Sequence, residues 1–186
     1  MPTQTDFELI FLGTVADIDI VETGDGSVAE NAADLLGTYG SAGSPLFEQQ
    51  YNAFTTDGND DGIILEDGEG AAAAGDTLTV LDTDGTPFVF EIDSTAGFFG
   101  TVTYADGATE SAGFGIIQDN GGNIWLLPTS NAASFNTKAI ESISLDTVAQ
   151  DNGAGLAPAG LTSTEFVCFA TGTLIATPDG PRVSTQ

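Results

Sequence analysis

The residues best suited to bind a metal lie in an acidic, glycine-rich stretch in the first half of the chain. Asp57, Asn59 and Asp61 place side-chain oxygens at alternate positions, and Gly62 follows at the sixth position of the series. An EF-hand loop binds calcium in this way, with oxygen ligands at alternate positions and a glycine that permits a sharp turn. The first half of the stretch therefore predicts a calcium site.

The second half of this stretch departs from the EF-hand pattern. The twelfth position, where a bidentate glutamate is expected, is Gly68. Glu66 or Glu69 could supply that ligand only in a loop of different geometry. The stretch is either a calcium site or a solvated acidic loop. The calcium interpretation assigns these ligands: Asp57, Asn59, Asp61, Glu66 and Glu69.

Cys168 is the only cysteine of the chain. A free cysteine often behaves as a small buried apolar residue, but a thiol can also act as a nucleophile when a neighbouring group activates it. The segment that contains it reads as a short strand, a glycine break, a second strand and a turn at 178–180.

The residues around Cys168 favour the second of these roles, a nucleophilic thiol. Residues 167–181 resemble the start of a bacterial Hint (Hedgehog/intein) domain, and the matching positions are Cys168, Phe169, Gly172, Thr173, Ile175, Thr177 and Gly180. The resemblance implies that the sulfur of Cys168 attacks the carbonyl of Val167 and converts that peptide bond to a thioester, which is then cleaved or transferred.

Such a step needs one group that activates the thiol and another that protonates the departing nitrogen. Histidine usually fills these roles, and the chain contains none. The resemblance implies that the histidine-bearing remainder of the module follows Gln186. The 186 residues alone are therefore expected not to process themselves and not to be an enzyme.

The charge balance limits the partners of this protein. Twenty-eight acidic residues face two basic ones, for a formal net charge of -26. Binding to nucleic acid relies on clusters of lysine and arginine that are missing here, and the same argument excludes anionic membrane surfaces. Self-repulsion on this scale must be screened by salt or divalent cations, so we expect stability to depend strongly on salt.

The chain shows no apolar run near the ~20 residues that a membrane span requires. Residues 1–6 carry no positive charge, so they do not read as a Sec signal peptide. Acidic, glycine-rich, cysteine-poor proteins can instead be exported by a C-terminal signal, as type I secreted proteins are. We therefore predict an extracellular or cell-surface location without membrane insertion.

The pattern from residue 77 to residue 148 predicts a mainly β fold. Short runs of β-branched and aromatic residues cover 77–81, 88–92, 98–104, 111–117, 123–127 and 140–148. Turn signals follow at 84–85, 96–97, 106–107 and 120–122. Consecutive hairpins of this length predict an antiparallel β-sandwich or a barrel-like domain. Trp125 reads as a core residue of its strand rather than a platform for sugar binding.

The N-terminal part predicts two strands within residues 7–21, divided near Gly13. In the second strand Asp17 and Asp19 are expected to face solvent, and the aliphatic residues Val15, Ile18 and Ile20 are expected to face the core. Residues 29–36 follow a capping-box spacing and predict a short helix ended by Gly37.

A second short helix is predicted to start at Ser44 and Pro45. It carries Leu46, Phe47, Tyr51 and Phe54.

Together these patterns divide the chain into an acidic β-rich passenger at 1–150, a Gly/Pro/Ala linker at 151–161 and the start of a Hint module at 162–186. The passenger is predicted to have a structural, adhesive or assembly role, with self-assembly or a cell-surface partner, ahead of a module that cleaves between Val167 and Cys168. The alternative is a calcium- or carbohydrate-binding module with an inert Hint remnant. Hydrolysis by paired carboxylates is a third possibility, although no spacing singles out a pair.

Overall fold

In this computed structural model, the structure describes residues 4–21, 28–56, 65, 76–128, 135, 137–151, 166, 174–177 and 180–183. These residues form ten strands and two single-turn 3-10 helices, the helices at Ala32–Leu35 and Leu46–Glu48. The strands are β1 (Gln4–Thr14), β2 (Gly37–Gly40), β3 (Gln50–Thr56), β4 (Thr77–Leu81), β5 (Pro87–Tyr104), β6 (Thr109–Asp119), β7 (Asn123–Leu126), β8 (Ile140–Gln150), β9 (Leu174–Thr177) and β10 (Gly180–Val183).

Six of the strands close into a ring, so the predicted mainly β, antiparallel, barrel-like fold is confirmed. The order of pairing is β5-β4-β3-β1-β7-β6, and β6 pairs in turn with β5. All of these pairs are antiparallel. Strands β8 and β2 continue the sheet from the second half of β5. Closure protects the edges of the ring strands that an open sheet would present to other chains, and β2 remains an edge strand of the extension.

The 18-residue strand β5 belongs both to the six-stranded ring and to the extension formed by β8 and β2. Its first residues, 87–91, pair with β4, and residues 97–104 pair with β8, while β6 runs along the other edge. The turn predicted at Ala96 and Gly97 is wrong, because both residues stay paired, opposite Ile116 and Gly115 of β6. A glycine in a strand can mark a close approach of backbones rather than a turn.

The ring strands contribute to two separate hydrophobic cores. The interior cluster draws at least one residue from each of the six ring strands and consists of Phe7, Leu9, Ala53, Leu65, Leu78, Val80, Ile92, Ile117, Trp125 and Leu127. The outer cluster takes the alternate positions, for example Ile10 of β1 and Leu126 of β7, and also includes residues of β8. This alternation follows from the two-residue period of a strand.

The region after β1 corrects the prediction of a second strand. Strand β1 continues through Gly13 to Thr14, and no strand covers the described residues 15–21. Asp17 is exposed and Ile18 is buried, as predicted, but Asp19 is 1% exposed and Ile20 is 59% exposed, the reverse of the prediction for these two. The cause is the buried side chain of Gln118, which takes the place of a strand partner: its Oε1 accepts from the Ile18 N–H at 2.9 Å.

The two predicted helices shrink to single 3-10 turns. Gly37 opens β2 instead of simply ending a helix, and β3 begins at Gln50, so Tyr51 and Phe54 lie on a strand. The pairing of β3 with β1 on one side and β4 on the other overrides the helical signals around residue 45.

Three of the predicted turns are confirmed, and an aspartate organises each of them. Asp82, Asp106 and Asp119 each accept, through Oδ1, the backbone N–H two residues ahead, at 2.9 Å in all three cases. This Asx-turn hydrogen bond is a backbone role for aspartate. Asp82 therefore has a structural role in its hairpin.

Strands β9 and β10 form a separate two-stranded antiparallel sheet, with Thr177 opposite Gly180. This agrees with the strand predicted up to Thr177, while residues 178 and 179 of the predicted turn lie outside the described residues.

Candidate functional site

One end of the ring opens into a cavity of about 320 Å³ that we call the aromatic pocket. It is lined by Phe11, Tyr51, Val80, Asp82, Phe88, Phe90, Asn123 and Trp125. The register explains why they meet, since Phe11 lies opposite Trp125 and Val80 lies opposite Phe88 on neighbouring strands. Mouths of small barrels are common ligand sites.

Three aromatic rings of the pocket surround the indole of Trp125. The ring centroids of Phe11, Tyr51 and Phe90 lie 5.1, 5.8 and 6.5 Å from that of Trp125. Tyr51 meets the indole edge to face, at an interplanar angle of 86°. Trp125 is 5% exposed, which confirms its prediction as a core residue, and it also forms part of the pocket wall.

The buried carboxylate of Asp119 fixes the orientation of Trp125. Its Oδ2 accepts from Trp125 Nε1 at 2.9 Å, and its Oδ1 accepts from the backbone N–H groups of Gly121 and Asn123 at 2.9 and 3.1 Å. The side chain of Asn123 also donates to both oxygens. A buried carboxylate that accepts this many hydrogen bonds is well satisfied.

Sequence reasoning missed Asp119, which lies just before the predicted turn at 120–122. The available signal is its spacing from Asn123 and Trp125, four and six residues ahead, on either side of the Asn120-Gly121-Gly122 turn.

Among the described residues that line the pocket there is one carboxylate and no basic side chain. Asp82 lies in its wall, and Oδ1 of Asp82 accepts from the backbone N–H groups of Asp84 and Thr86 at 2.9 and 2.7 Å. Lys138, one of the two basic residues of the chain, is paired elsewhere with Asp106 at 2.8 Å. The aromatic pocket is therefore a negatively charged site in a strongly acidic protein.

The chain is anchored on the outer core just before the predicted cleavage junction. Phe166 is 5% exposed and belongs to the outer cluster. Its ring lies 6.1 Å from that of Phe135, which in turn packs 5.7 Å from Phe114. The backbone N–H of Phe166 donates to Oε2 of Glu8 at 2.6 Å. Phe166 lies beyond the boundary predicted at residue 150 and still contributes to this core.

The residues predicted to carry chemistry lie outside the described residues. These are Val167 and Cys168 at the junction, and Asp57, Asn59, Asp61, Glu66 and Glu69 of the calcium loop. Leu65, in the middle of that loop, is described: it is fully buried in the interior cluster, with a φ of 61°. Across the part of the chain that the structure describes, no group of three or more metal-binding side chains is found. Calcium binding stays a prediction.

Comparison with protein families, with curated proteins and with solved structures finds no match. These comparisons give no indication of an enzymatic activity. Among the described residues, no helix is both long and apolar enough to cross a membrane.

Proposed function

We propose that the β domain is a secreted or cell-surface passenger with a structural, adhesive or assembly role. In this proposal the passenger precedes a self-cleaving Hint module, and the module cuts between Val167 and Cys168. The proposal concerns a protein in which residues after Gln186 supply the histidine that this chain lacks. The resemblance of residues 167–181 supports it, as does the hairpin of β9 and β10 that follows the junction.

The chemical step is an exchange of one acyl bond for another. The Cys168 sulfur, as a thiolate, attacks the carbonyl carbon of Val167, and the carbon–nitrogen bond between the two residues breaks as the amide nitrogen takes up a proton. The product is a thioester between Val167 and the Cys168 side chain. Water or another nucleophile then attacks this thioester and releases the passenger with Val167 as its last residue, while the thiol is regenerated.

The burial of Phe166 is the observation that carries this proposal. A cut after Val167 leaves Phe166 on the passenger, with its contact to Phe135 and its hydrogen bond to Glu8. A cut only a few residues earlier would remove a core aromatic residue, a loss of about 3–5 kcal/mol for a buried phenylalanine. The predicted junction thus falls immediately after the last described residue on which the core of the passenger depends.

The test is to express the protein together with a histidine-bearing remainder after Gln186 and to measure intact masses. We expect a fragment that ends at Val167, and we expect Cys168→Ala to abolish it. Ser163→Ala, which leaves the reacting sulfur in place, is the matched control and should still be cleaved. Fragments ending at Val167 in the Cys168→Ala variant would remove Cys168 from the mechanism.

Calcium binding by the loop at 57–69 is the second candidate, in which the Hint segment is inert. The burial of Leu65 in the interior cluster favours it, because ligands that flank an anchored residue lose less conformational freedom on binding. Thermal unfolding in calcium and in chelator tests it. A higher midpoint in calcium that is lost in Asp61→Asn supports the site, and an unchanged midpoint contradicts it.

A further inference from the structure

We propose that the aromatic pocket binds a small organic cation, a quaternary or methylated ammonium group, between its aromatic rings and the carboxylate of Asp82. This proposal goes beyond the passenger function and does not depend on it. The rings of the pocket, its charge and the state of its polar atoms support it in three separate ways.

The rings provide the faces that a cation requires. A cation binds an aromatic face when it lies within about 6 Å of the ring centroid, and tryptophan is the best of the aromatic partners. The rings of Phe11, Tyr51 and Phe90, which pack against Trp125, line one cavity together with Phe88. Its volume of about 320 Å³ is at the small end for ligand sites, which suits a compact ligand.

The charges favour a cation over a neutral or anionic ligand. Both hydrogen bonds that the Asp82 side chain accepts end on Oδ1, and within the described residues no donor binds Oδ2. This oxygen can face a ligand in the cavity. The formal net charge of -26 adds a field that attracts cations from solution.

Two of the polar side chains of the pocket are already engaged within the protein, which leaves a sugar few partners. Trp125 Nε1 donates to Asp119, and the side chain of Asn123 donates to Asp119 and accepts from the Thr14 hydroxyl at 3.0 Å. A sugar needs several polar partners for its hydroxyl groups, and a site that cannot pair them binds it poorly. A quaternary ammonium group has no hydrogen to donate and needs only the faces and a counter-charge.

The fixed indole also lowers the cost of binding. Asp119 holds Trp125 in one orientation before any ligand arrives. Because the ring does not have to be ordered on binding, more of the interaction energy remains as affinity.

The experiment uses the 186-residue chain and its single tryptophan as the reporter. Tetramethylammonium and choline are titrated at constant ionic strength, with sodium replacing the organic cation in the control. Fluorescence of Trp125 and calorimetry follow binding. The neutral probe is 3,3-dimethylbutanol, which has the shape of choline without its charge. We expect saturable binding of both cations and about tenfold weaker binding of the alcohol.

Variants locate the site. Asp82→Asn keeps an oxygen for the turn and removes the charge, and Phe88→Ala removes a ring that is 51% exposed, so both should fold. We expect each to weaken cation binding several-fold. Asp84→Asn, in the same turn, and Phe99→Ala, on an exposed surface outside the pocket, are the matched controls and should bind as the wild type does.

Three results would overturn the proposal. Equal affinity for choline and the alcohol would show a purely apolar pocket. Binding of a disaccharide such as maltose without binding of either cation would favour the carbohydrate alternative. Linear, unsaturated fluorescence changes shared with sodium would show only a salt effect. None of these results bears on the junction at Val167 and Cys168, since that chemistry is measured on a different protein product.

Discussion

Asp119 and Trp125 are joined by a buried hydrogen bond, from the indole Nε1 to the carboxylate Oδ2 at 2.9 Å. The same carboxylate holds the turn between β6 and β7 through Oδ1. One side chain therefore links the shape of a turn to the wall of the aromatic pocket. A substitution of Asp119 should disturb both.

Asp119→Ala should lower the free energy of unfolding by about 3 kcal/mol or more, because the indole N–H and two backbone N–H groups lose their buried acceptor. Asp119→Asn should cost less, since its remaining oxygen can still accept. Urea unfolding measures both. Asp84→Ala, on an exposed turn position, is the control and should stay within about 0.5 kcal/mol of the wild type. Equal losses for Asp119→Ala and this control would contradict the role given to Asp119.

Phe166→Ala should destabilise the β domain by about 3–5 kcal/mol, as expected for truncation of a buried phenylalanine. Phe99→Ala removes the same atoms from a site that is 61% exposed and should have little effect. Chemical denaturation followed by the fluorescence of Trp125 gives both values. If the two variants were equally stable, Phe166 would not belong to the core.

Gly100→Ala should severely destabilise the sheet. A β-carbon at position 100 would collide with the backbone carbonyl of Ser144 on β8 and approach Phe114 to 3.2 Å. At Gly97, on the same strand, the nearest atom is the β-carbon of Gln150 at 3.4 Å, so Gly97→Ala should be tolerated. Thermal midpoints compare the two. A Gly97→Ala variant as unstable as Gly100→Ala would show that strand flexibility, not the collision, is responsible.

The ion pair of Lys138 and Asp106 should stabilise the fold in a pH-dependent way. The hydrogen bond from Lys138 holds the pKa of Asp106 below its ordinary value of 3.8, helped by the backbone N–H of Ala108. Because the folded-state pKa is lowered, the contribution is present above the unfolded-state pKa and is lost as the pH falls through the folded-state value.

Lys138→Gln should therefore lose part of this contribution at neutral pH, and the difference from the wild type should shrink as the solution is acidified below about pH 4. Unfolding free energies measured from pH 7 to pH 2 give the profile. The contact of Lys138 with the ring of Tyr104, at 5.4 Å, does not depend on Asp106 and leaves a constant offset. A difference that grows with acidification would contradict the assignment.

Most of the strands and turns after residue 77 could be predicted because their signals are local, whereas the turn predicted at Ala96 and Gly97 is wrong. Alternating β-branched and aromatic residues mark β4, β6 and β8, and Asp-Gly pairs mark the turns at Gly85 and Gly107, where φ is 78° and 81°. Such positive φ angles are what glycine permits and other residues resist. Local chemistry alone is enough to define these elements.

The errors share a different cause, because each depends on residues distant in the chain. The sequence before β3 carries helical signals, but the residues of β3 pair with β1 and β4 and form a strand. The segment at Ile18 is held by Gln118, one hundred residues away, and Phe166 is held by Glu8. The aromatic pocket exists only after the ring closes, so no single stretch of sequence carries its signature.

The central claim is that Cys168 forms a thioester with Val167, and trapping that thioester tests it most directly. The protein with its histidine-bearing remainder is treated with hydroxylamine, which attacks a thioester and not an ordinary peptide bond, and the products are weighed by mass spectrometry. The account predicts a β-domain fragment that carries a hydroxamate on Val167 and is lost in Cys168→Ala. A fragment with any other end, or the same fragment from the Cys168→Ala protein, would contradict it.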